Sequence, residues 1–108
     1  MATVKTTVDP GVCQMIAVIT ATCDDGQNAK VRIESSCEKV GKFAPMVEEI
    51  DVFGELGRNL DTPVYRAMSQ CMYGGCTNCI VPASVSKSAQ VAAGLALPRD
   101  AKIEFEVD

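Results

Sequence analysis

The sequence predicts a single α+β domain, in which an antiparallel sheet carries about three helices mainly on one face. Three observations support this fold class. Two neighbouring runs alternate between apolar and polar residues, three helix-start signals follow them, and another alternating run lies near the C-terminus. The chain has 108 residues, of which 47% are hydrophobic, which is enough for one core. Residues 1–108 are therefore expected to form one domain.

The first two strands are expected to form a hairpin. Residues 13–23 alternate with a period of two, which places Cys13 on the buried face of the first strand. Residues 24–28 are rich in Asp, Gly and Asn and predict a turn, and residues 29–35 alternate again. The predicted sheet therefore begins with two antiparallel strands.

The two ends of the chain give different predictions. Residues 1–11 are polar and end in an Asp-Pro-Gly turn signal, so we expect a flexible N-terminus. Residues 102–107 alternate and are expected to form the C-terminal strand of the sheet. Ile16 and Val18 are apolar on the outer face of the first strand. Either the surroundings of the C-terminal strand or a second subunit of a homodimer covers them, and the sequence leaves both open.

Three helices are expected between the hairpin and the last strand. Ser-Ser-Cys-Glu at 35–38 matches a capping box and puts Cys37 in the first turn of a helix, which Pro45 kinks or restarts before it ends near residues 54–57. Thr-Pro at 62–63 predicts the start of the second helix. Residues 82–94 predict the third, with an apolar face of small side chains that allows close packing.

The charge balance and the absence of histidine exclude several function classes. With 10 Lys and Arg against 14 Asp and Glu, the chain has no basic stripe for nucleic acid or for an anionic membrane surface. No apolar run approaches the roughly 20 residues of a membrane span, and no signal-peptide core is present, so we expect a cytoplasmic protein. Without histidine, Ser-His and Cys-His pairs are excluded, and a non-catalytic role is expected.

Three of the six cysteines occupy the ends of predicted elements, and six cysteines in a cytoplasmic chain favour thiols or metal ligands over disulfides. Cys13 begins a strand, whereas Cys37 and Cys79 lie at helix starts, where free N–H groups favour a thiolate. This effect is only about 0.3–1 kcal/mol, so a metal or a cation must supply the rest. Thiolates without imidazole suit zinc or an iron–sulfur cluster. The predicted ligands are Cys13, Cys37 and Cys79, with Cys76, a carboxylate or an exchangeable group as the fourth.

Other interpretations of the cysteines remain open. Cys23 and Cys71 are in phase with apolar faces, which favours a role as core filler. Cys76 and Cys79 form a C-x-x-C pattern, which is the basis for a thiol-redox enzyme or a sulfur carrier, with Lys87 as either a cationic neighbour or a solvated lysine. A third alternative is a structural or interaction domain whose cysteines are all filler.

The order of these parts resembles the U-type iron–sulfur cluster scaffolds, of the IscU or NifU N-terminal type. The corresponding stretches are Gly-Val-Cys at 11–13, Asp-Asp-Gly at 24–26, Ser-Ser-Cys-Glu at 35–38, and Cys79 before a helix of small residues. The resemblance implies a non-catalytic scaffold that holds a cluster on Cys13, Cys37 and Cys79. It also implies sulfur-transfer or cluster-assembly proteins as partners.

Two positions depart from the scaffold pattern, and a second resemblance is present. Met15 stands where the scaffolds have an acidic residue, and Asn78 stands where they have a histidine. The segments Val-Asp-Pro-Gly-Val-Cys at 8–13 and Gly-Leu-Ala-Leu-Pro at 94–98 are similar to those of a family of small uncharacterised prokaryotic proteins. That second resemblance implies no activity.

Overall fold

The computed structural model describes residues 2–57 and 59–108. Within these residues, four strands form one antiparallel sheet in the order β1-β2-β3-β4, and three α-helices complete the fold, which confirms the α+β class. The elements are β1 (Thr3–Val8), β2 (Ala17–Cys23), β3 (Asn28–Ser35), α1 (Glu38–Phe43), β4 (Glu49–Asp51), α2 (Pro63–Cys71) and α3 (Ile80–Ala92). Short 3₁₀ turns span Ala44–Val47, Val52–Leu56 and Gly74–Asn78.

The predicted hairpin is confirmed as β2 and β3. The two strands pair in register from Ala17 opposite Ser35 to Cys23 opposite Ala29. In the connecting turn, Asp25 Oδ1 accepts hydrogen bonds from the backbone N–H groups of Gln27 at 2.9 Å and Asn28 at 2.7 Å. These bonds, with that of Asn28 first, lower the pKa of Asp25 to about 2 because they stabilise its carboxylate.

The prediction of a flexible segment at residues 1–11 was wrong. Thr3–Val8 form β1, which pairs with β2 from Thr3 opposite Thr22 to Val8 opposite Ala17. The strand is rich in threonine, so its composition looks polar although β-branched residues favour a strand. Only Val8 in it is fully buried. Met1 lies outside the described residues.

The prediction of a C-terminal strand at residues 102–107 was also wrong. These residues are exposed and form no strand, and β1 and β4 take the positions beside the hairpin instead. Ile16 is exposed and precedes the first hairpin strand, which starts at Ala17 rather than at Cys13. Val18 is half-buried on the face of the sheet opposite the core. The alternating pattern correctly identifies β2 from Ala17 onward but extends it too far at its start.

The first helix is shorter than predicted. α1 ends at Phe43, Pro45 lies in the 3₁₀ turn that follows, and Ile50 belongs to β4 instead of the helix. The capping box at residues 35–38 is also absent from the described structure. Ser35 Oγ accepts a hydrogen bond from the N–H of Cys37 at 3.1 Å, so Cys37 is the N-cap residue and not part of the first turn.

The second helix begins at Pro63 as predicted, whereas α3 begins at Ile80, two residues before the predicted start, and has the predicted face of small residues. Thr62 caps α2 by accepting a hydrogen bond from the N–H of Tyr65 at 3.1 Å. α3 packs across β1 and β2, and the hydroxyl groups of Ser88 and Thr6 are hydrogen-bonded at 2.8 Å. Its face against the sheet is made of buried small residues, namely Val85, Ser88, Ala89 and Ala92. Among the described helices, we find none with the length and hydrophobicity needed to span a membrane.

Candidate thiol site

Four cysteines lie at connections between elements of the fold. Cys13 is in the β1–β2 connection, Cys37 is the N-cap of α1, Cys76 is in the 3₁₀ turn before α3, and Cys79 is the N-cap of α3. All four are free thiols. Cys13 is exposed and the other three are half-buried. Cys13 was therefore wrongly predicted to lie on a buried strand face, because the strand begins four residues later.

The electrostatics of Cys79 indicate that these four cysteines lie near one another. Burial is the main cause that raises the pKa of the Cys79 thiol, and negative charge on Cys76, Cys13 and Cys37 raises it further. Interactions between charges decrease with distance and are screened by salt, so the groups that contribute must be neighbours. Three distant parts of the sequence therefore contribute to one group of thiols.

The start of α3 partly opposes this effect. The N–H of Val81 lowers the pKa of Cys79 in part, as a free amide at a helix start does. Within the described residues, the Cys79 thiol makes no capping hydrogen bond. The amide contribution is thus a weak polar contact, and the net direction of the pKa shift is upward.

The thiols are near one another but are not arranged as ligands of one ion. Among residues 2–57 and 59–108, no group of three or more Cys, Asp or Glu side chains has the arrangement of a metal site. The chemistry of four thiols fits a thiophilic metal, whereas their present separation does not. Cys13 lies in the β1–β2 connection and Cys76 in the 3₁₀ turn before α3, so neither is part of an α-helix or a strand.

The connection that carries Cys13 has unusual backbone geometry. Gly11 and Gln14 both have positive φ, at 94° and 59°, and the N–H of Gln14 donates to the Gly11 carbonyl at 2.9 Å. Asp9 Oδ1 accepts from the N–H of Gly11 at 3.0 Å. A left-handed conformation at a residue with a side chain is uncommon and persists only where its surroundings stabilise it. The tight turn places Cys13 at the exposed tip of the connection.

A contact that the sequence did not reveal links two parts of the site. Lys39 Nζ, on α1, donates to the backbone carbonyl of Tyr73 at 2.8 Å and lies 4.5 Å from the centre of the Tyr73 ring. Lys39 is two residues after Cys37, and Tyr73 is three residues before Cys76. The contact therefore holds these two cysteine-bearing segments together. In the sequence, the only sign of the contact is that Lys39 and Tyr73 each lie near a cysteine, and this does not show that the two residues meet.

The two remaining cysteines have the burial expected of core filler. Cys23 and Cys71 are both buried, and each makes one weak sulfur contact. Cys23 Sγ lies 3.7 Å from Asp25 Oδ1, and Cys71 Sγ lies 3.5 Å from Met46 Sδ. Lys87 is exposed on α3, and no cation is among the main causes of the shift in the Cys79 pKa. The interpretation of Lys87 as a solvated lysine is favoured.

Comparison with known proteins identifies a family but no activity. No curated protein and no solved structure matches the chain. Residues 4–105 match a family of unknown function, DUF6951, which agrees with the resemblance to small uncharacterised proteins. The matched range begins in β1, includes all four clustered cysteines and ends three residues before the C-terminus. The chain therefore belongs to the family of unknown function DUF6951.

Proposed function

We propose that the protein is a non-catalytic module that binds a thiophilic metal, as an iron–sulfur cluster or a zinc ion, through Cys13, Cys37, Cys76 and Cys79. The observation that carries this proposal is the combined effect of the other three thiols on Cys79. Four thiols from three connections, with no imidazole in the chain, form a donor set that favours these metals.

The charges of the site explain why a cation would bind there. Removing a proton from Cys79 is costly because the thiol is partly buried and faces other sulfurs that can become negative. A bound metal ion offsets both costs and stabilises several thiolates at once. Metal binding should therefore release protons and become tighter as the pH rises.

The exposed position of the site favours a carrier over a purely structural role. Cys13 is exposed, and Val12 beside it is completely exposed. A metal held partly by this connection would be accessible to another protein, as transfer to a partner requires. This supports the scaffold-like interpretation, with sulfur-transfer or cluster-assembly proteins as partners in the reducing cytoplasm. The positions of Cys13 before β2, Cys37 before α1 and Cys79 before α3 follow the order implied by the IscU/NifU resemblance.

The alternative is a redox or sulfur-carrier role for Cys76 and Cys79. The two residues are neighbours, since the N–H of Cys79 donates to the Cys76 carbonyl at 3.1 Å. A reactive thiol, however, needs a lowered pKa, and the pKa of Cys79 is raised. Metal binding also needs the thiolate, but the bound cation offsets its charge, so the raised pKa counts against a free nucleophilic thiol and not against a metal-bound one.

Metal and sulfide analysis of protein purified without oxygen tests the proposal. We expect iron with acid-labile sulfide, or zinc, bound to the wild-type chain after purification or reconstitution. Replacing Cys13, Cys37 and Cys79 together with Ser should abolish binding. Cys71→Ala, which changes a buried cysteine outside the site, should leave it intact. A wild-type chain without affinity for iron or zinc, or full binding by the triple variant, would contradict the proposal.

A further inference from the structure

The C-terminal tail, residues 102–108, exposes three large apolar side chains that alternate with polar ones. Their exposed fractions are 64% for Ile103, 90% for Phe105 and 89% for Val107. Lys102 Nζ forms an ion pair with Glu104 Oε1 at 2.9 Å. Residues two apart lie on the same side of an extended segment, so this contact fits a strand-like conformation. The tail thus has one apolar side and one charged, mainly acidic side.

β1 is an edge strand of the sheet, and it is similar to the tail in length and in having one side toward the protein and one toward solvent. All six residues of β1 pair with β2, and the other edge of β1 has no strand partner among the described residues. An unpaired edge presents N–H and C=O groups to another strand. One side of β1 faces α3, as shown by the hydrogen bond between Ser88 and Thr6. The opposite side carries Lys5 and faces solvent.

The charges on the solvent side of the sheet complement those of the tail. Lys5 is the cation on the solvent side of β1, and the next cation in the same row, Arg32 on β3, is paired with Glu34 at 3.7 Å. A strand added beside β1 with its apolar side toward α3 would place Glu104 and Glu106 on the solvent side, next to Lys5. Opposite charges on neighbouring strands favour this pairing.

We propose that the tail of one molecule adds as a strand to β1 of a second copy, and that the exchange is reciprocal, which produces a homodimer. The tail forms no strand with its own chain, and its apolar side chains are left largely exposed. Twofold symmetry lets each copy give one tail and receive one, so both free edges become paired. The family match extends to residue 105 and therefore includes Ile103 and Phe105.

The molar mass of the full chain in solution, measured by light scattering across a concentration series, tests this proposal. We expect a mass twice the 11.5 kDa of one chain. The double substitution Ile103→Ser and Phe105→Ser should give a monomer with unchanged circular dichroism. Leu97→Ser is the matched control, because Leu97 is 84% exposed but lies outside the alternating pattern, and this variant should remain a dimer.

A charge exchange locates the partner of the tail. Lys5→Glu should reduce the dimer fraction, and adding Glu104→Lys and Glu106→Lys to the same chain should restore it. Three results would overturn the proposal. The first is a wild-type chain that is monomeric at every concentration. The second is a tail variant that remains dimeric, which would place the interface elsewhere. The third is a monomer whose tail amides are protected from hydrogen exchange, which would show that the tail pairs with β1 of its own chain.

Discussion

At the scale of a single residue, Cys79 is the N-cap of α3, and its thiol is harder to ionise than an ordinary cysteine. Burial and the neighbouring sulfurs raise its pKa more than the N–H of Val81 lowers it. A raised pKa means that the neutral thiol is the stable form of the folded chain without metal. Its contribution to stability is complete below the unfolded pKa of roughly 8.5 and is lost as the pH rises through the higher folded value.

The reactivity of individual thiols should reflect these differences. At pH 8 and without metal, iodoacetamide should modify the exposed Cys13 several-fold faster than Cys79, because alkylation requires an accessible thiolate. Mass spectrometry of peptides from a time course measures both rates. Cys71, which is buried, is the internal control and should react only on unfolding. If Cys79 reacts first, the redox or sulfur-carrier alternative becomes the better explanation.

The turn between β2 and β3 shows, at the scale of an element, how one side chain fixes a connection. The pKa of Asp25 is lowered to about 2 because its carboxylate accepts hydrogen bonds from Asn28 and Gln27. The ordinary value is roughly 3.9, so this contribution to stability is present above pH 4 and is lost as the pH falls through 2.

Replacing the carboxylate should therefore have an effect that depends on pH. Asp25→Asn should lower the free energy of unfolding at pH 7, and the difference from wild type should disappear near pH 2. Urea unfolding at several pH values measures this change. Asp24→Asn is the matched control, since Asp24 is the exposed neighbour in the same turn, and it should have little effect. Equal losses for both variants would show that the hydrogen bonds of Asp25 are not responsible.

The elements also show what local sequence can and cannot predict. The start of α2 at Thr62-Pro63 was predicted correctly, and so was the position of Cys79 just before α3. Both predictions rest on helix-start signals, which act within a few residues. Thr3–Val8 were missed because threonine made a strand look like a polar terminus. The C-terminal tail has the pattern of a strand, but pattern alone does not supply a pairing partner.

The whole molecule depends on a small core in which Phe43 is the largest completely buried side chain. Phe43→Ala should reduce the free energy of unfolding by about 3–5 kcal/mol, since it leaves a cavity. A domain of this kind is stable by only about 5–15 kcal/mol, so the variant should be close to unfolded. Phe53→Ala, at a side chain that is 52% exposed, should change stability by about 0.5 kcal/mol or less. Urea unfolding of the two variants makes the comparison, and similar losses would contradict this core assignment.

The candidate site is also a property of the whole molecule. Sequence reasoning selected Cys13, Cys37 and Cys79 from their positions at the ends of predicted elements and left Cys76 as a possible fourth ligand. In the structure, charge on Cys76, Cys13 and Cys37 contributes to the raised pKa of Cys79. The sequence could not reveal the Lys39–Tyr73 contact, because that contact depends on how α1 and the segment after α2 pack together. Sequence reasoning also placed Cys13 on a strand, whereas Cys13 lies in a turn in which Gly11 and Gln14 have left-handed backbone conformations.

The most direct test of the central claim is X-ray absorption spectroscopy of the zinc-loaded chain, which reports the atoms around the metal. We predict a shell of four sulfur atoms at about 2.3 Å. The spectrum of Cys71→Ala should be the same, and the Ser variant at positions 13, 37 and 79 should lose this shell. A shell dominated by oxygen or nitrogen in the wild-type chain would contradict the claim that these four thiols bind one metal together.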